Sequence, residues 1–244
     1  MKSSIEIKNI TLKFPTDTGL ISGVKNLLTN SKEKSTGSFT AIDDLSLTVN
    51  QGEVLGVIGR NGSGKSTLLR VIAGIYQPDE GSVHVRGQTS LLAGVRVGLN
   101  EFLTGRENVH LYGSILGHDR KTMDSMMNSI IEFSELDKFF DKQLRTYSSG
   151  MRARLGIAIA SAVEPEILLI DEVLGVGDPQ FREKSKQRIL SLVESTSTVV
   201  LVSHSFGLMR EICDRVAFIH GGKVHCVGNP TDTIRTYYEL TGKD

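Results

Sequence analysis

The chain has 244 residues, with 28 Lys or Arg and 28 Asp or Glu, so its formal net charge is zero. This length suffices for one full hydrophobic core, and the balanced charge excludes a broad basic surface that would attract nucleic acid or an anionic membrane. The longest nearly apolar stretch, Gly156 to Val163, is far shorter than the roughly 18 residues that suggest a membrane span. No secretory signal pattern follows the first lysine. We therefore expect one domain over residues 1–244, located in the cytoplasm.

Short β-rich runs alternate with helical patterns along most of the chain. The β-rich runs lie at residues 5–10, 54–59, 82–86, 167–171, 198–202 and 215–228. The fully apolar runs predict strands that are buried on both faces, with helices between them, which indicates an α/β fold with a mainly parallel sheet. Between about residues 95 and 163 the pattern is helical only. This predicts a helical lobe inserted between core segments 1–94 and 164–244.

One helix of the predicted lobe carries a methionine-rich apolar stripe. Met123, Met126, Met127, Ile130 and Ile131 recur at helical spacing, which is typical of an amphipathic helix. Such a stripe fits either a packed core or a partner-binding face. The core is the commoner outcome, and we expect it here.

A phosphate-binding loop is predicted at residues 59–66, where GRNGSGKS matches the pattern G-x-x-x-x-G-K-[ST]. It follows an apolar strand and precedes a helical run. Its glycines let successive N–H groups face phosphates, and the helix directs its positive end to the same place. Lys65 is expected to reach the β- and γ-phosphates, and the Ser66 hydroxyl to bind Mg²⁺. The residues expected to contact nucleotide in this loop are Gly59, Asn61, Gly62, Ser63, Gly64, Lys65, Ser66 and Thr67.

Two later strands end in residues suited to phosphate hydrolysis. The strand ILLID ends at Asp171 and is followed by Glu172, and alternation along a strand points these carboxylates in different directions. Asp171 is then placed to hold Mg²⁺ through water, and Glu172 to act as general base on the attacking water. The strand TVVLV leads to His204, which is expected to touch the γ-phosphate. A solvated turn or a helix N-cap for the acidic pair, and a structural role for the histidine, are the alternatives.

A second phosphate-binding end is predicted where Ser148, Ser149 and Gly150 precede a helical run. Hydroxyls and unpaired N–H groups converge at such a helix start. An ordinary N-cap is the alternative, because serine is a favoured capping residue.

Together these segments resemble the ABC superfamily. GRNGSGKST, YSSGM, ILLIDE, GVGD at 175–178 and SH at 203–204 are similar to its Walker A, signature, Walker B, D-loop and H-switch segments, over nearly the whole chain. LTGRENVHL, IIEFSEL, YSSGMRARLG and IDEVLGVGD further resemble the ATPase subunits of bacterial polysaccharide exporters, of the Wzt, TagH and KpsT types. The resemblance implies a P-loop NTPase core with a mainly parallel sheet, an antiparallel β portion and an inserted helical lobe.

The resemblance also implies ATP as the nucleotide and Mg²⁺ as the cofactor. Phe14 would stack on adenine, although a core phenylalanine is the alternative. Ser148, Ser149 and Gly150 of a second copy would complete the ATP site, and Asp178 of the D-loop would lie beside it. A homodimer closing on two ATP molecules is therefore expected.

Two segments depart from the superfamily pattern. In the signature, Tyr147, Ser149 and Met151 replace the Leu, first Gly and Gln of LSGGQ, a departure that the exporters tend to share. The usual Q-loop glutamine falls near Val95, and Gln88, the nearest glutamine, lies seven residues too early. We assign no glutamine to the site.

The function implied by the resemblance is export of a lipid-linked polysaccharide, such as O-antigen, across the cytoplasmic membrane. The chain would be peripheral on the cytoplasmic face of the inner membrane, bound to separate integral permease subunits, with only indirect contact to the glycan. Transport of another solute or lipid stays open. A nucleic-acid or ribosome ATPase is disfavoured, because neither a coiled-coil insertion nor a second cassette fits in this length. We expect no C-terminal carbohydrate-binding domain and no nucleic-acid partner.

Overall fold

The computed structural model describes residues 2–15, 37–93, 99–115, 117–163, 165–171, 178–196 and 198–242. Within these ranges lie nine strands and seven α-helices. No described helix combines the length and the hydropathy that a membrane span requires. The strands are β1 (Ser3–Pro15), β2 (Ser38–Asn50), β3 (Val54–Ile58), β4 (Glu80–Val85), β5 (Thr89–Ala93), β6 (Ile167–Asp171), β7 (Thr198–Val202), β8 (Arg215–His220) and β9 (Lys223–Gly228). The helices are α1 (Lys65–Ile72), α2 (Gly105–Ile115), α3 (Arg120–Ser134), α4 (Ser149–Ala162), α5 (Pro179–Ser195), α6 (Phe206–Ile212) and α7 (Pro230–Thr241).

Six strands form the central sheet, in the order β5-β6-β7-β3-β8-β9. All neighbours are parallel except β8 and β9. The carboxyl ends of β5, β6 and β7 lie side by side, since Asp171 pairs with both Ala93 and Val202. The predicted mainly parallel sheet is confirmed, and its carboxyl edge is where such folds bind ligands.

The side chains of the central strands alternate strictly between two core layers. In β6, Ile167 and Leu169 face one layer, while Leu168 and Ile170 face the other. Strand residues point alternately to opposite faces, so a strand buried on both faces must be apolar at every position. This accounts for the continuous apolar runs in the sequence.

The first layer, here called the β-side core, contains α1 and a three-stranded antiparallel sheet of order β2-β1-β4. The second layer, the helical-side core, contains buried residues of α2 to α7, among them Leu155, Phe181 and Tyr237. The antiparallel portion of the predicted fold is therefore present. Strands β2 and β5 were not among the predicted runs, because Asp43 and Asp44 interrupt β2 and because the five residues of β5, TSLLA, are too few and too mixed to stand out.

The methionine stripe belongs to α3. Met123, Met127 and Ile130 are buried in the helical-side core, and Met126 and Ile131 pack against it from partly exposed positions. Asp119 caps the helix start by accepting a hydrogen bond of 2.8 Å from Thr122 N, and Glu135 ends it with φ of 58°. The stripe is thus core, as expected.

Candidate nucleotide-binding site

The loop from residue 59 to residue 64 joins β3 to α1, and two of its glycines are in close contact with neighbouring backbone. A Cβ at Gly59 would lie 2.3 Å from the carbonyl oxygen of Ile219, and one at Gly64 would lie 2.5 Å from that of Ala41. Gly64 also has φ of 102°, a conformation that other residues adopt only with strain. Glycine is therefore required here for packing, in addition to any need for space around phosphates.

Lys65 is the first residue of α1, and its side chain is turned back into this loop. Its Nζ donates hydrogen bonds to the carbonyl oxygens of Gly59 (2.8 Å) and Arg60 (3.0 Å). The positive charge thus lies inside the curve of the loop, at the positive end of a helix. The hydroxyl of Ser63 is buried there and has no hydrogen-bond partner among the described residues. A buried, unpaired hydroxyl beside a cation suits an anionic ligand.

Ser66 and Asp171 meet at the end of the same loop. The Ser66 hydroxyl donates a hydrogen bond of 3.0 Å to Oδ1 of Asp171, which closes β6 and is half-buried. A hydroxyl and a carboxylate are hard oxygen donors of the kind that Mg²⁺ prefers. The residues present therefore fit a magnesium site next to the phosphate loop.

His204 leaves the sheet at the same edge. It is exposed and follows β7 by two residues, and the last residue of β7, Val202, pairs with Asp171. Its loop is held by a hydrogen bond of 3.0 Å from Ser205 N to the Ser203 hydroxyl. Glu172 and Val95, which the sequence assigned to the general base and the Q-loop position, lie outside the described residues. So does residue range 175–177 of the D-loop.

Gln88 lies at the opposite edge of the sheet, at the amino end of β5. Its N–H donates to Oε1 of Glu166 (3.2 Å), and its carbonyl oxygen accepts from Ile167 N (3.0 Å). Because β5 runs parallel to β6, Gln88 and Asp171 are at different ends of the two strands. This agrees with its exclusion from the site.

Phe14 is the next-to-last residue of β1 and pairs with Phe39 of β2. Its ring contacts Tyr76 edge-on, with centroids 5.5 Å apart, and it is half-buried against the β-side core. Phe39 is 52% exposed. The sequence did not single out Phe39 or Tyr76, because neither carries a motif and only strand pairing brings Phe39 to Phe14. The adenine contact of Phe14 stays a prediction.

The segment at 147–150 begins α4. Ser148 is its N-cap and accepts a hydrogen bond of 3.2 Å from Met151 N, while Ser149 and Gly150 form the first turn. Tyr147 is buried and donates to the carbonyl oxygen of Phe139 (2.7 Å), and burial raises the pKa of Tyr147 to about 12. The N-cap alternative thus describes Ser148 in this chain, and the helix start still offers free N–H groups to a ligand.

Asp178 is the N-cap of α5. Oδ1 accepts from Phe181 N (3.0 Å), and Oδ2 pairs with the guanidinium of Arg154 on α4. The hydrogen bond from Phe181 N, followed by that from Arg154, lowers the pKa of Asp178 to about 2. Arg154 also pairs with Glu135 at 2.7 Å. This ion-pair network was missed, because its members are distant in sequence. The nucleotide contact of Asp178 stays a prediction.

A family model described as ABC transporter matches residues 42–175, more than half of the chain. The chain belongs to the ABC transporter family. The chain is thus an ATP-binding and ATP-hydrolysing cassette. The assignments of the loop at 59–66 as the family's Walker A segment and of Asp171 as the end of its Walker B strand stay predictions.

Several curated relatives are similar to this chain, some over nearly their whole length and others over less than half of it. The chain is 40% identical over 241 residues to the O-antigen export system ATP-binding protein RfbB of Klebsiella pneumoniae, covering 97% of this chain and 98% of that protein. It is 38% identical to the teichoic acids export ATP-binding protein TagH of Staphylococcus haemolyticus, covering 98% and 90%. An RfbB of Myxococcus xanthus is 44% identical over 200 residues, but the chain spans only 46% of its length.

Solved structures show the same fold at lower identity. An ATP-binding cassette solved as a dimer in a post-hydrolysis state with ADP and Pi superposes with a TM-score of 0.71 at 22% identity, covering 93% of this chain and 98% of that one. An ATP-binding subunit of an ABC transporter gives 0.71 at 21% identity, covering 98% and 95%. The predicted cassette fold is confirmed.

Proposed function

We propose that this chain is the ATP-hydrolysing subunit of an exporter that moves a lipid-linked polysaccharide, such as O-antigen or a similar surface glycan, across the cytoplasmic membrane. The main structural support for ATP hydrolysis is the hydrogen bond between Ser66 and Asp171, which lies beside the buried ammonium of Lys65. The support for glycan export is the identity of 38% to 44% with proteins named for O-antigen and teichoic acid export.

In the proposed mechanism, Lys65 exchanges the carbonyl oxygens of Gly59 and Arg60 for the β- and γ-phosphate oxygens of ATP. Ser63 contributes its unpaired hydroxyl, and the N–H groups of the loop and α1 contribute further donors. The chain thus replaces the hydration shell of the triphosphate with fixed donors.

Ser66 and Asp171 would hold Mg²⁺, with Asp171 acting through water. The ion supplies positive charge that offsets the charge developing on the phosphate oxygens. Glu172 would accept a proton from the water that attacks the γ-phosphorus, as the bond to the β-phosphate oxygen breaks. His204, at the same sheet edge, would donate a hydrogen bond to the γ-phosphate.

A second copy is proposed to complete each site. Tyr147 and Leu155, at and beyond the signature segment, are buried in the helical-side core, whereas Leu68 and Leu69 of α1 are buried in the β-side core. The signature and the phosphate loop of one chain are thus attached to opposite faces of the central sheet. Ser148, Ser149 and Gly150 of one copy would therefore contact ATP held by Lys65 of the other, with Asp178 beside the pair.

The proposed assembly places two copies on integral permease subunits, at the cytoplasmic face of the membrane. The glycan would contact the permease, and this chain would act on it only indirectly.

We propose that residues 1–244 act as one domain, with the helical lobe at about 95–163 and the core at about 1–94 and 164–244. The balanced charge gives no reason to add a nucleic-acid partner.

The test is complementation in the source organism. A strain that lacks this gene should lose its surface glycan and accumulate lipid-linked polymer inside, and the wild-type gene should restore export. Lys65→Ala should fail to restore it, whereas Lys138→Ala, a matched change at an exposed surface lysine, should succeed. A deletion strain with normal surface glycan would contradict glycan export and direct the search to another solute.

A further inference from the structure

The loop that carries His204 is short and is held at both ends by secondary structure. Only Ser203, His204 and Ser205 separate β7 from α6. Strand β7 is fixed at the centre of the six-stranded sheet, between β6 and β3. The position of His204 therefore depends on where α6 begins.

The carboxyl end of α6 is fixed against β3. Met209 is fully buried, and a Cβ at Gly56 would lie 3.0 Å from the Cys213 sulfur and 3.5 Å from that of Met209. The carboxylate of Asp214 accepts a hydrogen bond of 2.8 Å from Val54 N. These contacts leave little freedom at this end of the helix. They involve the middle of α6 and the residues after it, whereas the end next to His204 is the amino end.

The amino end of α6 is held by aromatic rings of α7. Phe206, the first residue of α6, has ring centroids 5.4 Å from both Tyr237 and Tyr238, at interplanar angles of 55° and 78°. Tilted and edge-to-face geometries of this kind are favourable for aromatic pairs. Tyr237 is itself buried and lies 5.3 Å from Phe218 of β8. We call Phe206, Tyr237 and Tyr238 the aromatic clamp.

We propose that the aromatic clamp positions His204 for its contact with the γ-phosphate, so that the C-terminal helix α7 takes part in setting the ATPase rate. This inference rests on the proposed role of His204. The contacts form a continuous path. Phe218 of β8 packs against Tyr237, and both Tyr237 and Tyr238 pack against Phe206. Phe206 in turn begins the helix that follows His204. The clamp residues are positioning residues, since none of them is placed to touch ATP.

The first test measures the position of His204 without any catalysis. The full-length protein is labelled with ¹³C at histidine Cε1, and the resonance of His204 is assigned as the one lost in His204→Ala. Phe206→Leu and Tyr238→Leu should each move this resonance. Tyr238→Phe, which keeps the ring, should leave it in place, as should Phe102→Leu at a 65% exposed position outside the clamp. An unmoved resonance in both leucine variants would overturn the inference.

The second test is a double-mutant cycle on ATP turnover. Phe206→Leu should lower kcat by roughly 10- to 100-fold, the scale expected for misplacement of an active-site group, with KM for ATP unchanged. In the His204→Ala background, Phe206→Leu should lower kcat no further. Losses that multiply would mean that the clamp supports the fold and does not act through His204, which would also overturn the inference.

The two tests separate this inference from the proposed function. Wild-type kcat in His204→Ala would remove His204 from the proposed mechanism. The histidine resonance would still decide whether the clamp positions that residue.

Discussion

The hydroxyl of Ser66 donates a hydrogen bond of 3.0 Å to Oδ1 of Asp171, although 105 positions separate the two residues in the chain. Ser66 lies in the first turn of α1, and Asp171 ends the neighbouring β6. The helix that follows β3 begins at the carboxyl edge of the sheet, which is also where the parallel strand β6 ends. The contact between Ser66 and Asp171 therefore follows from the topology. It places two oxygen donors beside Lys65.

Asp171→Asn tests the proposed magnesium site. The amide keeps the shape and can still accept from Ser66, but it removes the negative charge. If Asp171 holds Mg²⁺ through water, the Mg²⁺ concentration for half-maximal ATPase rate should rise about 10- to 100-fold, the usual effect of losing an outer-shell partner. Titration of Mg²⁺ at saturating ATP measures this. Asp137→Asn, at an exposed position, is the control, and an unchanged Mg²⁺ requirement in Asp171→Asn would contradict the assignment.

Glu172→Gln tests the proposed general base. The change removes the proton acceptor while keeping size and hydrogen bonding, so ATP should bind and turnover should fall on the order of 10²–10⁴-fold. Blocked hydrolysis should trap two copies around ATP, and size-exclusion chromatography with Mg²⁺ and ATP should show a dimer. Lys65→Ala in the same background should abolish that dimer, because phosphate binding is lost. Wild-type turnover in Glu172→Gln, assayed with the membrane partner, would exclude this residue as the base.

Gly64→Ala tests the packing of the phosphate loop. The new Cβ would lie 2.5 Å from a backbone oxygen of Ala41, in addition to the strain of φ at 102°. The free energy of unfolding should fall by roughly 1–3 kcal/mol, and ATP affinity should fall with it. Gly74→Ala is the matched control, since its φ is 73° but a Cβ there meets nothing within 4 Å. Urea unfolding of both variants measures the difference, and equal losses would mean that the contact with Ala41 is relieved without cost.

The Asp178 carboxylate should make stability depend on pH in the acid range. Its pKa is about 2 in the folded chain against an ordinary 3.8, because Phe181 N and Arg154 stabilise the charged form. A lowered folded pKa contributes stability that is present above the unfolded value and is lost as pH falls from 3.8 towards 2. Asp178→Asn still caps α5 but lacks the charge. The difference in unfolding free energy between wild type and this variant should therefore shrink as pH falls through that range. A difference that is constant with pH would exclude the ionic contribution.

The sequence alone was enough to predict the loop at 59–66, the strand that ends at Asp171 and the cassette fold. These features are local: a glycine pattern between a strand and a helix constrains a few adjacent backbone angles, and a continuous apolar run records burial on both faces. The stripe from Met123 to Ile131 was predictable for the same reason, since helical periodicity within one segment defines the buried face.

Only the tertiary structure decided which distant residues meet. Phe39 faces Phe14 through strand pairing, Arg154 reaches Asp178 between two helices, and Phe206 lies against Tyr237 and Tyr238 from the end of the chain. No local pattern encodes such contacts, because any exposed arginine or aromatic ring has the same sequence signature. They arise when strands pair and when separate helices pack on one face of the sheet, where side-chain shape and charge select the neighbour.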